Sequence, residues 1–279
     1  MTKLFLEEDP MKDTDALKSM KEELKATQEE LRTLKEEFEQ KVSERTAEIE
    51  KLLKHKDEFI AQLGHDLKSP LTPLVSLLPI VKEQVEDPKL KKLLEVSIRN
   101  VRYMKDLVVK TLEFEKLNSS EIMFNISDMN LLETVNSTIE NKQLIFKEKK
   151  INIENNINKK IMVRANSLQL GELFDNLITN AIKFTPQDGT ITIDAKKVKD
   201  FVTVSIKDTG IGMTKEQINS IFAEFYKVDS ARHDLDSSGL GLSICKRIVE
   251  KHGGQIWAES PGLGKGTTFY FTIPFRFKK

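Results

Sequence analysis

The sequence predicts a long coiled-coil helix, then a helical hairpin that completes a dimeric four-helix bundle, then an α+β sandwich with helices on one face of a mixed sheet. Three observations carry this. Between Pro10 and Gly64 there is neither glycine nor proline; two amphipathic stretches are joined at Glu86-Asp87-Pro88; and beyond residue 120 period-two alternation replaces much of the helical period. A chain of 279 residues has room for one globular domain beside an elongated module. The divisions expected are a flexible N-terminus over 1–13, a coiled coil over 14–58, a hairpin over 59–118 and the α+β domain over 121–279.

Basic and acidic residues number 44 each and cancel to +0, so overall charge favours neither nucleic acid nor an anionic membrane. A single cysteine, Cys245, excludes an intramolecular disulfide framework. No apolar run reaches the length of a transmembrane helix or signal peptide, and the expectation is a soluble, cytoplasmic chain.

The coiled coil is read from Leu17, Leu24, Leu31 and Phe38, spaced by heptads, with Met20, Thr27 and Leu34 between them. Glu37/Lys41 and Glu50/Lys54 have the spacing of ion pairs on the solvated face. After Phe38 the seam steps by four residues to Val42, which resembles a stutter, and then continues at Ile49.

The first hairpin helix carries Phe59, Leu63, Leu67, Leu74, Leu78, Val81 and Val85, and the second carries Leu90, Leu94, Val101, Met104, Val108 and Leu112. Two helices cannot close a core alone, so a second copy is expected. His65 lies two residues from both Leu63 and Leu67, roughly 200° around the helix from each, and so faces away from the buried stripe. Pro70 removes a helical hydrogen bond and favours a kink close by.

Residues 59–74, FIAQLGHDLKSPLTPL, resemble the phosphoacceptor box of histidine kinases. A neutral imidazole nitrogen is a good nucleophile, and an adjacent carboxylate, here Asp66, can orient the ring and accept its other proton. Related kinases that dephosphorylate their regulators usually carry Asn or Thr four residues after the histidine. Here Ser69 stands there, a hydroxyl without the methyl or amide that restrains it, so kinase activity is expected to dominate.

In the α+β domain the sequence predicts a helix over 127–149, strands over 151–157 and 161–163, a helix over 167–184, a hairpin of strands at 190–195 and 201–207, a further helix, and strands at 255–260 and 267–274. On the helix ELFDNLITNAIKFT, Glu172, Asn176, Asn180 and Lys183 fall within about 80°, opposite Leu173, Phe174, Leu177 and Ala181. A polar stripe on an otherwise buried helix demands a polar ligand. Asn176 can offer one amide oxygen to magnesium, and Asn180 and Lys183 can hold phosphates. In DTGIGM, 208–213, Asp208 can accept from an adenine amino group while Gly210 and Gly212 let the backbone approach the base. In SSGLGLSI, 237–244, Gly239 and Gly241 open a helix whose amides can meet phosphate, and GLGKGTTF follows at 262–269.

Taken in order, these segments resemble the N, G1, F, G2 and G3 boxes of the ATP-binding domain shared by histidine kinases, DNA gyrase, Hsp90 chaperones and mismatch-repair ATPases. The F-box match is IFAEFYKVD, 221–229. The resemblance implies that Phe222 and Phe225 anchor an ATP lid covering roughly 213–238, that Lys227 stands near the γ-phosphate, and that Thr267 belongs to the nucleotide site. Where many members open the G2 box with two glycines, Asp236 and Ser237 stand here. The implied activity is ATP- and Mg²⁺-dependent phosphorylation of His65, followed by transfer to an aspartate of a response regulator. A conformational ATPase is the alternative, since Glu172 in E-x-x-D-N matches the position of the water-activating glutamate of such enzymes. The upstream acceptor box favours the kinase, and the intact nucleotide residues disfavour a scaffold with a dead pocket. Residues 34–52 resemble the signalling helices that join sensor domains to kinase cores.

Overall fold

The computed structural model describes residues 10–118, 125–227 and 238–275, and of residues 10–17 and 19 only the backbone. The expected N-terminal segment thus lies mostly outside the described residues. So do Asp236, Ser237 and the central part of the expected lid. The chain divides into two compact units, Met1–Glu58 and Phe59–Lys279, and each is described by itself.

The described part of the first unit is helical throughout and belongs to α1, Pro10–Gln84. Leu24, Leu31, Leu34 and Phe38 of the seam are all exposed in the single chain, as an apolar stripe awaiting a partner helix would be. Among the described residues, ion pairs along it include Arg32–Glu36, Lys35–Glu39 and Arg45–Glu48, and the Glu37–Lys41 and Glu50–Lys54 pairs expected are not among them. Exposed pairs each contribute about 0.5 kcal/mol or less, so neighbouring pairings exchange at little cost.

In the second unit the rest of α1 is followed by α2, Pro88–Asn118. Pro88 takes the first position of α2, where its missing N–H costs nothing, and the Asp87 carboxylate accepts from the Lys89 N–H at 2.7 Å. Helix α1 continues unbroken through Pro70, Pro73 and Pro79. Gly64 is buried against α2, and a Cβ there would overlap the methyl groups of Leu112, so the close approach of the two helices requires glycine at this point. Leu63, Leu67, Leu74, Val81 and Leu90 remain exposed in the single chain.

The α+β domain is built on a sheet ordered β2-β4-β5-β7-β6, comprising β2 (Asn152–Asn155), β4 (Thr190–Val198), β5 (Phe201–Asp208), β6 (Ile256–Glu259) and β7 (Thr267–Pro274). Strand β2 runs parallel to β4, and the remaining pairs are antiparallel. Alternate residues Ile191, Ile193, Val202, Val204, Ile206, Phe271 and Ile273 are buried, as one covered face demands. The cover is α3 (Leu131–Asn141), α5 (Ser167–Phe184) and α7 (Gly241–Lys251). Phe174 of α5 meets Phe271 edge-on at 5.4 Å between ring centres. Phe114 and Leu117 of α2 join this same core.

The helix expected over 127–149 is three elements instead: β1 (Ser127–Asn130), α3 and α4 (Gln143–Glu148). The reason is Asn130. Its carboxamide oxygen accepts from the Leu132 N–H at 3.0 Å and starts α3 there, while the residues before it pair with β3 (Met162–Ala165) in a separate two-stranded sheet. A short helix, α6 (Lys215–Ser220), was also not foreseen, and Thr214 and Gln217 form its capping box.

Candidate functional site

His65 stands on α1 with 78% of its side chain exposed, and its Nδ1 lies 3.3 Å from Asp66 Oδ1. Gln62, one turn earlier, donates from Nε2 to both carboxylate oxygens of Asp66 at 3.0 Å. These contacts hold the Asp66 carboxyl below the usual range, the Gln62 hydrogen bond most of all and the His65 bond next. A proton on Nδ1 facing this carboxylate leaves the lone pair on Nε2, the nitrogen turned away from Asp66. Gln62 was not singled out in the sequence, although its i,i+4 spacing to Asp66 was visible. Ser69 is exposed one turn beyond His65.

The second centre is a cavity of about 440 Å³ in the α+β domain. Asn176, Asn180 and Lys183 of α5 line it, together with Asp208, Gly212, Lys227, Gly239, Gly241 and Thr267. Segments far apart in sequence thus converge as their order suggested. Gly210, Phe222 and Phe225 do not line it. Gly210 donates its N–H to Asp208 Oδ1 at 2.8 Å; Phe222 packs edge-on against Phe269 at 6.4 Å.

Phe225, expected with Phe222 to anchor the lid, is 57% exposed. Its φ of 57° lies in the left-handed region, uncommon for a bulky residue. Its backbone instead lies against Gly239, where a Cβ would come within 2.9 Å of it. Tyr226, the next residue, packs against the core and lines the cavity.

Asp208 is 4% exposed. Its Oδ1 accepts from Gly210 N and from Thr267 N at 3.2 Å, while burial pushes its carboxyl above the ordinary range. With Oδ1 so occupied, the carboxylate is fixed in direction and Oδ2 is the oxygen left to meet a base. Asn176 is oriented in the same manner. Its Nδ2 donates to the Glu172 carbonyl at 3.1 Å, and its Oδ1 faces Gly241, where a Cβ would stand 3.0 Å from that oxygen. Helix α7 has no side-chain cap, so its first amide groups are left to other acceptors at the cavity. Oxygen donors from Asn176 and Glu172 with phosphate oxygens suit magnesium, a hard cation that keeps part of its water shell.

Glu172 also lines the cavity, and its carboxyl is pushed up to about 7, by burial first and then by the charges of Glu113 and Asp175, with Lys110 opposing. Glu113, Lys110 and Asp106 belong to α2 and line the cavity from the hairpin side. His65 does not. No local pattern could have placed α2 there, because that depends on Phe114 and Leu117 being buried in the α+β core.

Two family models match the chain: His Kinase A (phospho-acceptor) domain over residues 55–120, and Histidine kinase-, DNA gyrase B-, and HSP90-like ATPase over residues 165–276. The sensor histidine kinase WalK of Bacillus subtilis (strain 168) is 33% identical over 234 residues, covering 82% of this chain and 38% of the relative. The chain therefore spans well under half the length of that relative. Among solved structures, histidine kinase ThkA in complex with response regulator protein TrrA is similar at a TM-score of 0.57 and 26% identity, covering 78% of this chain and 61% of the other. Full-length ShkA in complex with AMPPNP shares the fold at a TM-score of 0.65 and 23% identity, covering 79% of this chain and 46% of the other. Among the described residues, no helix is long and apolar enough to cross a membrane.

Proposed function

The chain belongs to the sensor histidine kinases, and on that premise we propose that it phosphorylates His65 from ATP and passes the phosphoryl group to an aspartate of a response regulator. The observation that carries this is the contact of His65 Nδ1 with an Asp66 carboxylate already held by Gln62.

In this reading Nε2 attacks the γ-phosphorus, a nitrogen–phosphorus bond forms, and the bond to the β,γ-bridging oxygen breaks to release ADP. As charge develops on the ring, the Nδ1 proton is stabilised by, or passes to, Asp66. Asp208 would fix the base; Asn180, Lys183, Lys227 and the start of α7 would hold the phosphates. Asn176 would supply an amide oxygen to magnesium, which when bound neutralises phosphate charge. The phosphoramidate is then attacked by the regulator's carboxylate, and the histidine regains its lone pair. A relative was crystallised with a response regulator, which supports that class of partner. A second copy of the chain would cover the exposed hairpin stripe as a dimeric bundle, with residues 14–58 as the signalling helix, 59–118 as the acceptor hairpin, 121–279 as the ATP domain, and the cytoplasm as the place of action.

Incubation with γ-labelled ATP and magnesium tests this. Acid-labile, base-stable label that disappears in His65→Gln is expected, and undiminished labelling of that variant would sink the proposal. A second reading, ATP hydrolysis, is favoured by one observation: the Glu172 carboxyl is pushed up to about 7 inside the cavity, where a base for water operates well near neutrality. Phosphate release by His65→Gln at the wild-type rate, abolished in Glu172→Gln, would select it.

A further inference from the structure

The register of the hairpin follows from two contacts. Gly64 is packed against Leu112, and Lys82 Nζ lies 2.7 Å from Glu95 Oε1. Both fit one antiparallel alignment, which sets His65 level with Thr111 and Leu112. Lys110 and Glu113, which line the nucleotide cavity, are therefore at the height of His65.

Lys227 also lines that cavity, yet its Nζ lies 5.0 Å from the ring centre of Tyr103 on α2. Tyr103 is level with Pro73 and Leu74, about eight residues and roughly 12 Å nearer the hairpin turn than His65, at ~1.5 Å per residue. An ammonium over an aromatic face is held by the ring quadrupole. The flat ring of Tyr103 is half-buried, so the contact is partly shielded from water, and Lys227 has a further interaction besides it. A cation needed at the phosphate being transferred to His65 is thus tethered well below the acceptor.

We propose that Tyr103 is a positioning residue that holds Lys227 below the level of His65, so that phosphoryl transfer requires Lys227 to exchange the Tyr103 ring for the phosphate chain. This rests on the kinase reading given above. Side chains that keep the ring keep this tether; those of similar size without it remove the ring's share of the hold on Lys227.

The experiment uses the full chain and measures initial autophosphorylation rates across ATP concentrations at fixed magnesium. Tyr103→Leu is expected to label about three- to tenfold faster at saturating ATP, in line with a single partly shielded cation–π contact, with no rise in the ATP concentration giving half-maximal rate. Tyr103→Phe, which retains the aromatic face, is expected to match the wild type. Tyr103→Met repeats the test should the leucine variant misfold. A folded leucine or methionine variant at or below the wild-type rate overturns the proposal, as does a phenylalanine variant as fast as leucine. Absence of label on the wild type itself would overturn the kinase reading instead, which keeps the two failures apart.

Discussion

The backbone N–H of Asn166 donates to Nε2 of His252 at 2.9 Å, while Nδ1 of the same ring donates to the Ile248 carbonyl at 2.7 Å. The residue that caps α5 is thereby tied to the end of α7, and these are the helices carrying Asn176 and Gly241. The ring is fully buried and must be neutral at Nε2 to accept. Burial pushes its pKa below the ordinary value, so the unfolded chain binds the proton more readily than the folded one. Stability is then complete above about pH 6.5 and declines as pH falls from there toward the lowered folded value. Glu172, pushed up to about 7, titrates in the same window with the opposite sign, so the His252 share is read as the difference in thermal unfolding between the wild type and His252→Phe from pH 8 to pH 5. His252→Phe should lower stability at pH 8 by about 1–3 kcal/mol, since it leaves the Asn166 N–H buried without that acceptor, and should flatten the slope below pH 6.5. An unchanged slope would refute the assignment.

Gln62 gives the second prediction. Its two hydrogen bonds fix Asp66 so that one carboxylate oxygen faces His65 Nδ1. Gln62→Leu keeps the helix and removes the donor, so autophosphorylation should fall about three- to tenfold with nucleotide affinity unchanged. Asp66→Asn, which loses the proton acceptor itself, should fall by about a hundredfold or more. Comparing initial labelling rates with nucleotide titrations separates the two effects, and a Gln62→Leu variant at the wild-type rate would make that glutamine incidental.

Much of the α+β domain could be read from its residues. The bounds of α5 and β7 follow from Asn166, Pro186 and the alternation Thr267-Thr268-Phe269-Tyr270-Phe271, which are local signals. Between 127 and 149 the local signals mislead. Asn130 looks like one polar residue on a helical face, and only its pairing with Met162 across the small sheet makes it a cap. Asn176, Asn180, Lys183 and Asp208 of the cavity are legible because each sits in a short pattern. The left-handed φ of Phe225 and the entry of Lys110 and Glu113, which depends on tertiary docking, leave no local trace.

Gly241 supplies a prediction that separates metal from base recognition. A methyl group there would stand 3.0 Å from Asn176 Oδ1, closer than an oxygen and a carbon sit comfortably, and it would occupy the space into which that oxygen points. Gly241→Ala should therefore weaken nucleotide binding about tenfold in the presence of magnesium, and far less with EDTA, while the fold persists because alanine suits a helix start no worse than glycine. Titration of a fluorescent ATP analogue with and without magnesium reads this. Equal loss under both conditions would mean that the methyl group blocks the phosphates rather than the Asn176 oxygen.

The last prediction concerns residues 34–52 and the step in the seam from Phe38 to Val42. A four-residue interval in a heptad pattern locally unwinds a coiled coil, and two packings of similar energy become accessible. No glycine or proline interrupts residues 11–63, so the sequence provides no breaker to absorb a change of phase before Gly64. Inserting two residues after Glu39 should rotate everything downstream by about 200° relative to the upstream seam, whereas seven residues return to within about 20° of the starting phase. Autophosphorylation should change severalfold with the two-residue insertion and stay near wild type with seven, and sedimentation should show the same oligomer for both. If both insertions label at the wild-type rate, the coiled coil serves only to hold two chains together, and rotation of its seam carries no signal to the histidine.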